Sequence, residues 1–262
     1  MIFAPAFFTS MFSLKRLTTI TVFMLLLIIG STAQADNSKT NSVVLAVEDS
    51  WPPYADANGQ GIATNIVQQA FAAVGIKLFL KVSPYARVLD IVEKGLVVGG
   101  YNVTRQTSTE EKFLFGQQAL LTAPASFYFP ANNRQVFKYK SIADIPNGTR
   151  VGIIINYEYG NSFEQHKHRF KQVRVSNQTQ IINMLKLNRI DSAIMFDEVA
   201  NYTIKSMGLD EKSIKKGPLN HTSEIYVAFS RAHKNARFFA DKLDQGLLYI
   251  KESGQYAKLL PH

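Results

Sequence analysis

VVLAVEDSWPPYADANGQGIATNIVQQAFAAVGI, residues 43–76, carries the most information about the fold. Residues 42–47 are β-branched and apolar and read as a buried strand. Trp51-Pro52-Pro53-Tyr54 is incompatible with helix, because each proline restricts its predecessor as well as itself. Ile62, Ile66, Val67, Ala70, Phe71 and Val74 then recur at helical spacing, and Gly75 stops the helix.

Downstream, residues 76–82 predict a second strand. Residues 84–94 predict a helix with proline in its first turn, and residues 96–101 a third strand. A strand–helix–strand–helix–strand order is the signature of a parallel sheet with helices on its faces. Residues 142–148 turn, and the pattern restarts: strand 150–155, helix 160–168, strand 172–175, helix 178–187, strand 190–195, helix 198–207. A strand at 225–229 follows. Ala236, Phe239, Ala240, Leu243, Leu247 and Ile250 mark a long amphipathic helix at the end. Two α/β lobes imply a cleft between them, with ligands beyond the carboxyl ends of the strands. The loops at 49–54, 102–109, 156–160 and 196–198 therefore hold the candidate site.

The 262-residue chain contains no cysteine, which excludes disulfides, thiol catalysis and Cys-ligated zinc. Lys15 and Arg16 precede an apolar run over residues 17–29, and Ala33-Gln34-Ala35 offers the small residues a signal peptidase reads. That run is about 13 residues, short of the roughly 20 a spanning helix needs. The expected leader is residues 1–35, cut before Asp36, giving a periplasmic protein. The formal net charge is +9, but the basic residues are scattered and form no stripe interleaved with stacking aromatics, so no nucleic-acid partner is expected. No G-x-S-x-G, H-E-x-x-H or P-loop occurs. His166 and His168 do not share a helix face, so no metal site is expected there.

The order of these segments resembles the family 3 extracellular solute-binding proteins, the periplasmic type that serves polar amino-acid ABC transporters. The match runs from about Val43 to Lys258. It rests on the opening stretch quoted above, then SPYARVLDIVEKG, DIPNGTRVGIIINYEYG, MLKLNRIDSAIMFDEVA, IYVAFSRAH and the closing Gly254-Gln255-Tyr256. The resemblance implies a two-lobe α/β periplasmic binding protein fold (type II), with mixed sheets flanked by helices and a ligand cleft between lobes. Lobe 1 is expected over 36–130 plus 230–262, and lobe 2 over 131–229. It implies a monomer that captures a small polar solute, amino-acid-like or another small carboxylate, by lobe closure without cofactor or catalysis, and delivers it to an ABC permease. Two alternatives remain open: an arogenate or prephenate dehydratase with Glu158 or Asp197 as proton donor, and a stand-alone sensor for a membrane receptor.

In the family one arginine grips the ligand carboxylate and one aspartate the amino group. Here Thr109 stands at the arginine position and Phe196 at the aspartate position, with Arg105 and Asp197 displaced nearby. Val98 stands where a buried aspartate is common, and Asn156 where a glycine opens the second anion loop. Arg105 has the planar donor set a carboxylate wants; it either holds a ligand or pairs with Glu110 or Glu111. Arg87 either faces the cleft or lies solvated on its helix. Trp51 and Tyr54, held by the prolines, are candidates to stack on a ligand, as Trp51 is to plug the core. Tyr85, Tyr157 and Tyr159 add aromatic walls, and Asn102 and Thr104 are candidate donors. Asp197 contacts ligand or caps the helix after it.

Overall fold

The computed structural model describes residues 1–4, 41–134 and 138–260. The expected leader lies, beyond its first four residues, outside the described residues. Among the described residues no helix is long and apolar enough to cross a membrane.

The first half of the sheet is β1 (Ser42–Glu48), β2 (Lys77–Ser83) and β3 (Gly99–Thr104), joined by helices α1 (Ile62–Ala73) and α2 (Tyr85–Glu93). A short helix α3 (Thr107–Glu110) leads to β4 (Phe113–Phe115) and the long β5 (Leu121–Pro130). The second half is β6 (Arg150–Ile154), β7 (Lys171–Val175) and β8 (Ser192–Phe196), with helices α4 (Gly160–His166) and α5 (Gln178–Lys186) between them and α6 (Asp197–Ser206) after them. β9 (Ile214–Ser230) and the closing helix α7 (Ala236–Glu252) complete the chain. The strand order is β2-β1-β3-β9-β5-β8-β6-β7, with β4 paired to β9. β1 runs parallel to β2 and β3, and β6 parallel to β7 and β8. In each half the chain steps to one neighbour of its first strand and then to the other. That reversal opens a crevice at the carboxyl ends of β1 and β3, and of β6 and β8.

β5 and β9 tie the halves together. β9 pairs with β3 and β4 at its end and with β5 along its length, while β5 also pairs with β8 over Ala125–Phe196 to Tyr128–Ala193. Neither β5 nor the first part of β9 reads as strand in the sequence. β5 contains Pro124, which lacks a donor; it lies before the β8 register begins, where only β9 flanks the strand. The first part of β9 is polar and carries Gly217 and Pro218, and its register against β5 shifts twice. The third strand starts and ends later than the sequence suggests, because Leu96 is 66% exposed and the glycines at 99 and 100 are the ones buried in the sheet. Asn102 and Thr104 consequently belong to β3 and not to a loop.

Two glycines are required by contact. Gly61 sits at φ +151, just before α1, and a Cβ there would lie 2.4 Å from the Tyr54 carbonyl oxygen. This closeness lets the Pro53 and Tyr54 carbonyls accept from the Ile62 and Ala63 amides, so the proline loop caps α1 through its backbone. Gly246 brings α7 against α1: a Cβ there would lie 1.9 Å from the Ala70 carbonyl oxygen. Phe71 of α1 and Phe239 of α7 meet edge to face at 6.4 Å in the same interface.

Gly246→Ala should therefore destabilise the protein by about 1–3 kcal/mol through overpacking, although alanine favours helix by ~1 kcal/mol over glycine. The readout is the urea midpoint. An unchanged or higher midpoint would mean that the two helices separate freely.

Candidate functional site

Both strand-end crevices open onto one polar, aromatic-walled cavity of about 10 Å³. Glu48, the last residue of β1, and Asn102 and Thr104 of β3 come from the first half, with Trp51 from the proline loop and Tyr85 from α2. Tyr157 and Glu158, just after β6, and Phe196, the last residue of β8, come from the second. Every strand end named by the topology contributes a side chain.

Backbone conformation aims several of them. Asn102 has φ +69 and sits at a register shift between Tyr101 and Val103 in the β3–β9 pairing. Such a bulge turns a side chain out of the strand's normal alternation, and asparagine tolerates the left-handed region better than most residues. Asn156 likewise has φ +63, which accounts for an asparagine where a glycine was expected: the position needs left-handed backbone. The turn it makes swings Tyr157 and Glu158 back towards the first half.

Two tyrosine–glutamate hydrogen bonds cross between the halves. The Tyr157 hydroxyl donates to Glu48 Oε2, and the Tyr85 hydroxyl donates to Glu158 Oε2 at 2.5 Å. A third crossing runs from the Gly160 amide to Gln106 Oε1 at 3.2 Å. The rings pack around them. Trp51 lies 4.4 Å from Tyr54 and 5.1 Å from Phe196, and Tyr85 meets Tyr157 edge to face at 4.8 Å.

Burial governs the electrostatics. Desolvation holds the Glu48 carboxyl well above the usual carboxylate range; Glu158 and Asp49 push the same way, and the Tyr157 hydrogen bond only partly offsets them. Desolvation raises Glu158 to about 8, against the lowering effect of Tyr85. His221, half-buried with its ring 6.0 Å from that of Phe196, is pushed down to about 4 by desolvation. Trp51 Nε1, both side-chain polar atoms of Asn102 and His221 Nε2 are buried without a hydrogen-bond partner. Buried polar groups are nearly always satisfied, and three of these atoms, Trp51 Nε1 and the two of Asn102, belong to residues that line the cavity, where a ligand could complete them. Among the described residues no group of three or more acidic or histidine side chains is placed to hold a metal ion.

Of the ten residues singled out in the sequence, Trp51, Tyr85, Asn102, Thr104 and Tyr157 line this cavity. Tyr54 stacks behind Trp51 and is raised to about 12, by desolvation first and then by Glu198 and Asp197. Arg105 lies at the surface: its Nε donates to Glu110 Oε1 at 2.6 Å, and its guanidinium covers the Phe115 and Tyr226 rings. Arg87 is exposed on α2. Thr109 ties α3 to β3, its hydroxyl donating to the Thr104 carbonyl at 2.8 Å. Asp197 is the first residue of α6 and makes no cap; it accepts from Ser126 Oγ (3.2 Å), the Tyr128 hydroxyl (3.0 Å) and Lys216 Nζ (2.7 Å). Glu48 was absent from the sequence candidates. Its one signal is an acid closing an otherwise apolar strand.

No protein-family model matches the chain, and no curated protein sequence matches it. Solved structures do. A histidine kinase sensor domain with similarity to periplasmic binding proteins superposes with a TM-score of 0.72 at 13% identity, covering 85% of this chain and 95% of that one. An ancestral arginine-binding protein bound to arginine gives 0.70 at 18% identity, over 84% and 96%. An amino acid ABC transporter substrate-binding protein from Streptococcus pneumoniae, bound to L-arginine, gives 0.67 at 19% identity, over 84% and 92%. The chain has the fold of the periplasmic binding proteins, a mixed α/β architecture in which helices flank the sheet.

Between the ordinary carboxylate range and about 8, folded Glu158 keeps a proton that the unfolded chain gives up. Stability accordingly falls as pH rises through that window, and Glu48 acts in the same direction. Glu158→Gln should flatten this fall and be more stable than the parent near pH 8, the two converging near pH 4.5. Thermal midpoints across a pH series provide the check, and parallel curves would contradict the burial of a protonated carboxyl.

Proposed function

We propose that the protein captures a small polar solute between two lobes, which close on it across the Glu48–Tyr157 and Tyr85–Glu158 contacts. The observation that carries this reading is the cavity where the carboxyl ends of both sets of strands meet, walled by aromatic rings and holding orphaned polar atoms. Lobe 1 is assigned to 36–130 plus 230–262 and lobe 2 to 131–229, with β5 and β9 as the strands on which they hinge. Hinge closure of this kind needs only a few backbone positions to move. A leader cut after Ala35 would deliver the chain to the periplasm, where a monomer passes its solute to an ABC permease; the S. pneumoniae protein of like fold serves a transporter, and the sensor domain of like fold supports a signalling role for the same motion.

A second reading rests on Glu158. A carboxyl that holds its proton to about 8 beside a tyrosine can serve as a general acid. On that reading the cleft would dehydrate an arogenate-like substrate.

Trp51 is the sole tryptophan and forms part of the wall, so its fluorescence reports on occupancy. In a screen of amino acids, small carboxylates, amines and aromatic solutes, a ligand at about 100 times its Kd raises stability by about 2.7 kcal/mol and should change Trp51 emission in parallel. If no solute does either, solute capture fails as the function. Turnover of prephenate or arogenate would transfer the assignment to the enzyme.

A further inference from the structure

Resting on the solute-binding reading, we infer that the ligand is an organic cation, an amine or guanidinium without a carboxylate of its own, whose charge is held between Glu48 and Glu158 inside the aromatic wall. Three observations lead there. First, among the described residues the ionisable side chains lining the cavity besides the tyrosines are these two glutamates, with no lysine, arginine or histidine. An anionic group would meet no counter-charge, and Arg105, the donor a carboxylate would want, is engaged with Glu110 at the surface. Second, the walls are the rings of Trp51, Tyr85, Tyr157 and Phe196, whose faces attract cations. Third, Asn102 is 5% exposed, and its orphaned Oδ1 can accept from an ammonium while its Nδ2 and Trp51 Nε1 offer donors to a neutral oxygen on the same molecule.

The approach supports the same sign. Beside the cavity, and sharing Tyr157 and Glu158 with it, lies a cleft of about 350 Å³ lined, among the described residues, by Asp90, Glu93, Glu158 and Glu164 with Lys112 as the cation. The exposed acids are already paired, Asp90 with Lys94, Glu93 with Lys112 and Glu164 with Lys167. Each of these three acids has a lysine charge beside it, which leaves Glu158 as the acid of this cleft without an ion pair. Among the described residues, Glu48 and Glu158 make no ion pair, and the one cation that acts on Glu158 from a distance is Lys112. In a chain of formal charge +9, a cleft lined by acids departs from the surrounding surface.

An arriving cation favours the ionised form of a carboxyl beside it. Binding should therefore expel protons from Glu48 and Glu158 and strengthen as pH rises towards 8. The groups facing Glu158 are Tyr85, Lys112 and Glu164, and those facing Glu48 are Asp49, Tyr157 and Glu158. Of these Tyr85, Tyr157 and Lys112 oppose the protonated forms, but desolvation outweighs them at both carboxyls, so the direction stands. Each proton released makes affinity climb roughly tenfold per pH unit below the free-site pKa.

Calorimetry on the full mature chain with matched probes tests this: agmatine against arginine, cadaverine against lysine, and succinate as a dicarboxylate. The decarboxylated member of each pair should bind at least as tightly as its amino acid, with a buffer-dependent heat that shows proton release, and succinate should not bind. Glu48→Gln and Glu158→Gln should each weaken the amine at least about 30-fold, with thermal midpoints confirming that the variants are folded. Binding confined to the amino acids or to succinate, or unchanged amine affinity in both variants, overturns the cation assignment and leaves solute capture standing. If none of the probes and no other solute binds, the capture reading falls and this inference with it.

Discussion

Burying a carboxyl against aromatic rings costs several kcal/mol unless its charge is lost or partnered. Glu48 and Glu158 are buried in this way, at 1% and 9% exposure, and each is met by a tyrosine hydroxyl from the opposite half of the sheet. The exchange is reciprocal: the first half supplies one glutamate and one tyrosine, and the second half supplies the same. With the carboxyls protonated, the arrangement is neutral and tolerable in a low-dielectric wall. The same four side chains join the two halves across the cleft, which β5 and β9 already tie together through the sheet.

The topology makes the reciprocity possible. Each half steps first to one side of its opening strand and then to the other, so each has a crevice beyond its strand ends, and β5 and β9 hold the two crevices mouth to mouth. Left-handed asparagines at 102 and 156 then do equivalent jobs on the two sides. One turns a β3 side chain inward, and the other turns the chain after β6 back across the cleft. Neither position requires glycine, because asparagine bears that conformation at modest cost.

Much of this was legible from residues alone. The strands β1, β2, β6, β7 and β8 and all the longer helices stand out, because apolar spacing and glycine stops report directly on a buried face. What escaped were elements stabilised by neighbours distant in sequence. β5 carries prolines and the first part of β9 is polar, yet both are strands, because each lies against the other. The site divided along the same line. Trp51, Tyr85, Asn102, Thr104 and Tyr157 were recognisable from their position at strand ends or beside prolines. Glu48 was not, since an acid at the end of a strand ordinarily faces water, and only the tertiary arrangement puts Tyr157 over it. The displaced Arg105 drew attention by its chemistry, while its environment, Glu110 and two aromatic rings, is assembled by α3, β4 and β9.

The latch strength can be weighed against what closure of a binding cleft requires. A cavity of about 10 Å³ holds no more than about one water, so on the proposed reading any solute enters only when the halves part and the two tyrosine–glutamate bonds break. A neutral hydrogen bond contributes about 0.5–1.5 kcal/mol net, which puts the pair at a few kcal/mol at most. That is the scale on which open and closed forms of a protein interconvert with the minor form still populated. Bonds to ionised carboxylates would be stronger and would hold the cleft shut against its ligand. Keeping both glutamates protonated until a ligand arrives keeps the latch weak. Handing those carboxyls to a cation would then turn a weak contact between halves into a strong contact with the solute, and the difference in free energy would favour closure around the ligand over closure without it.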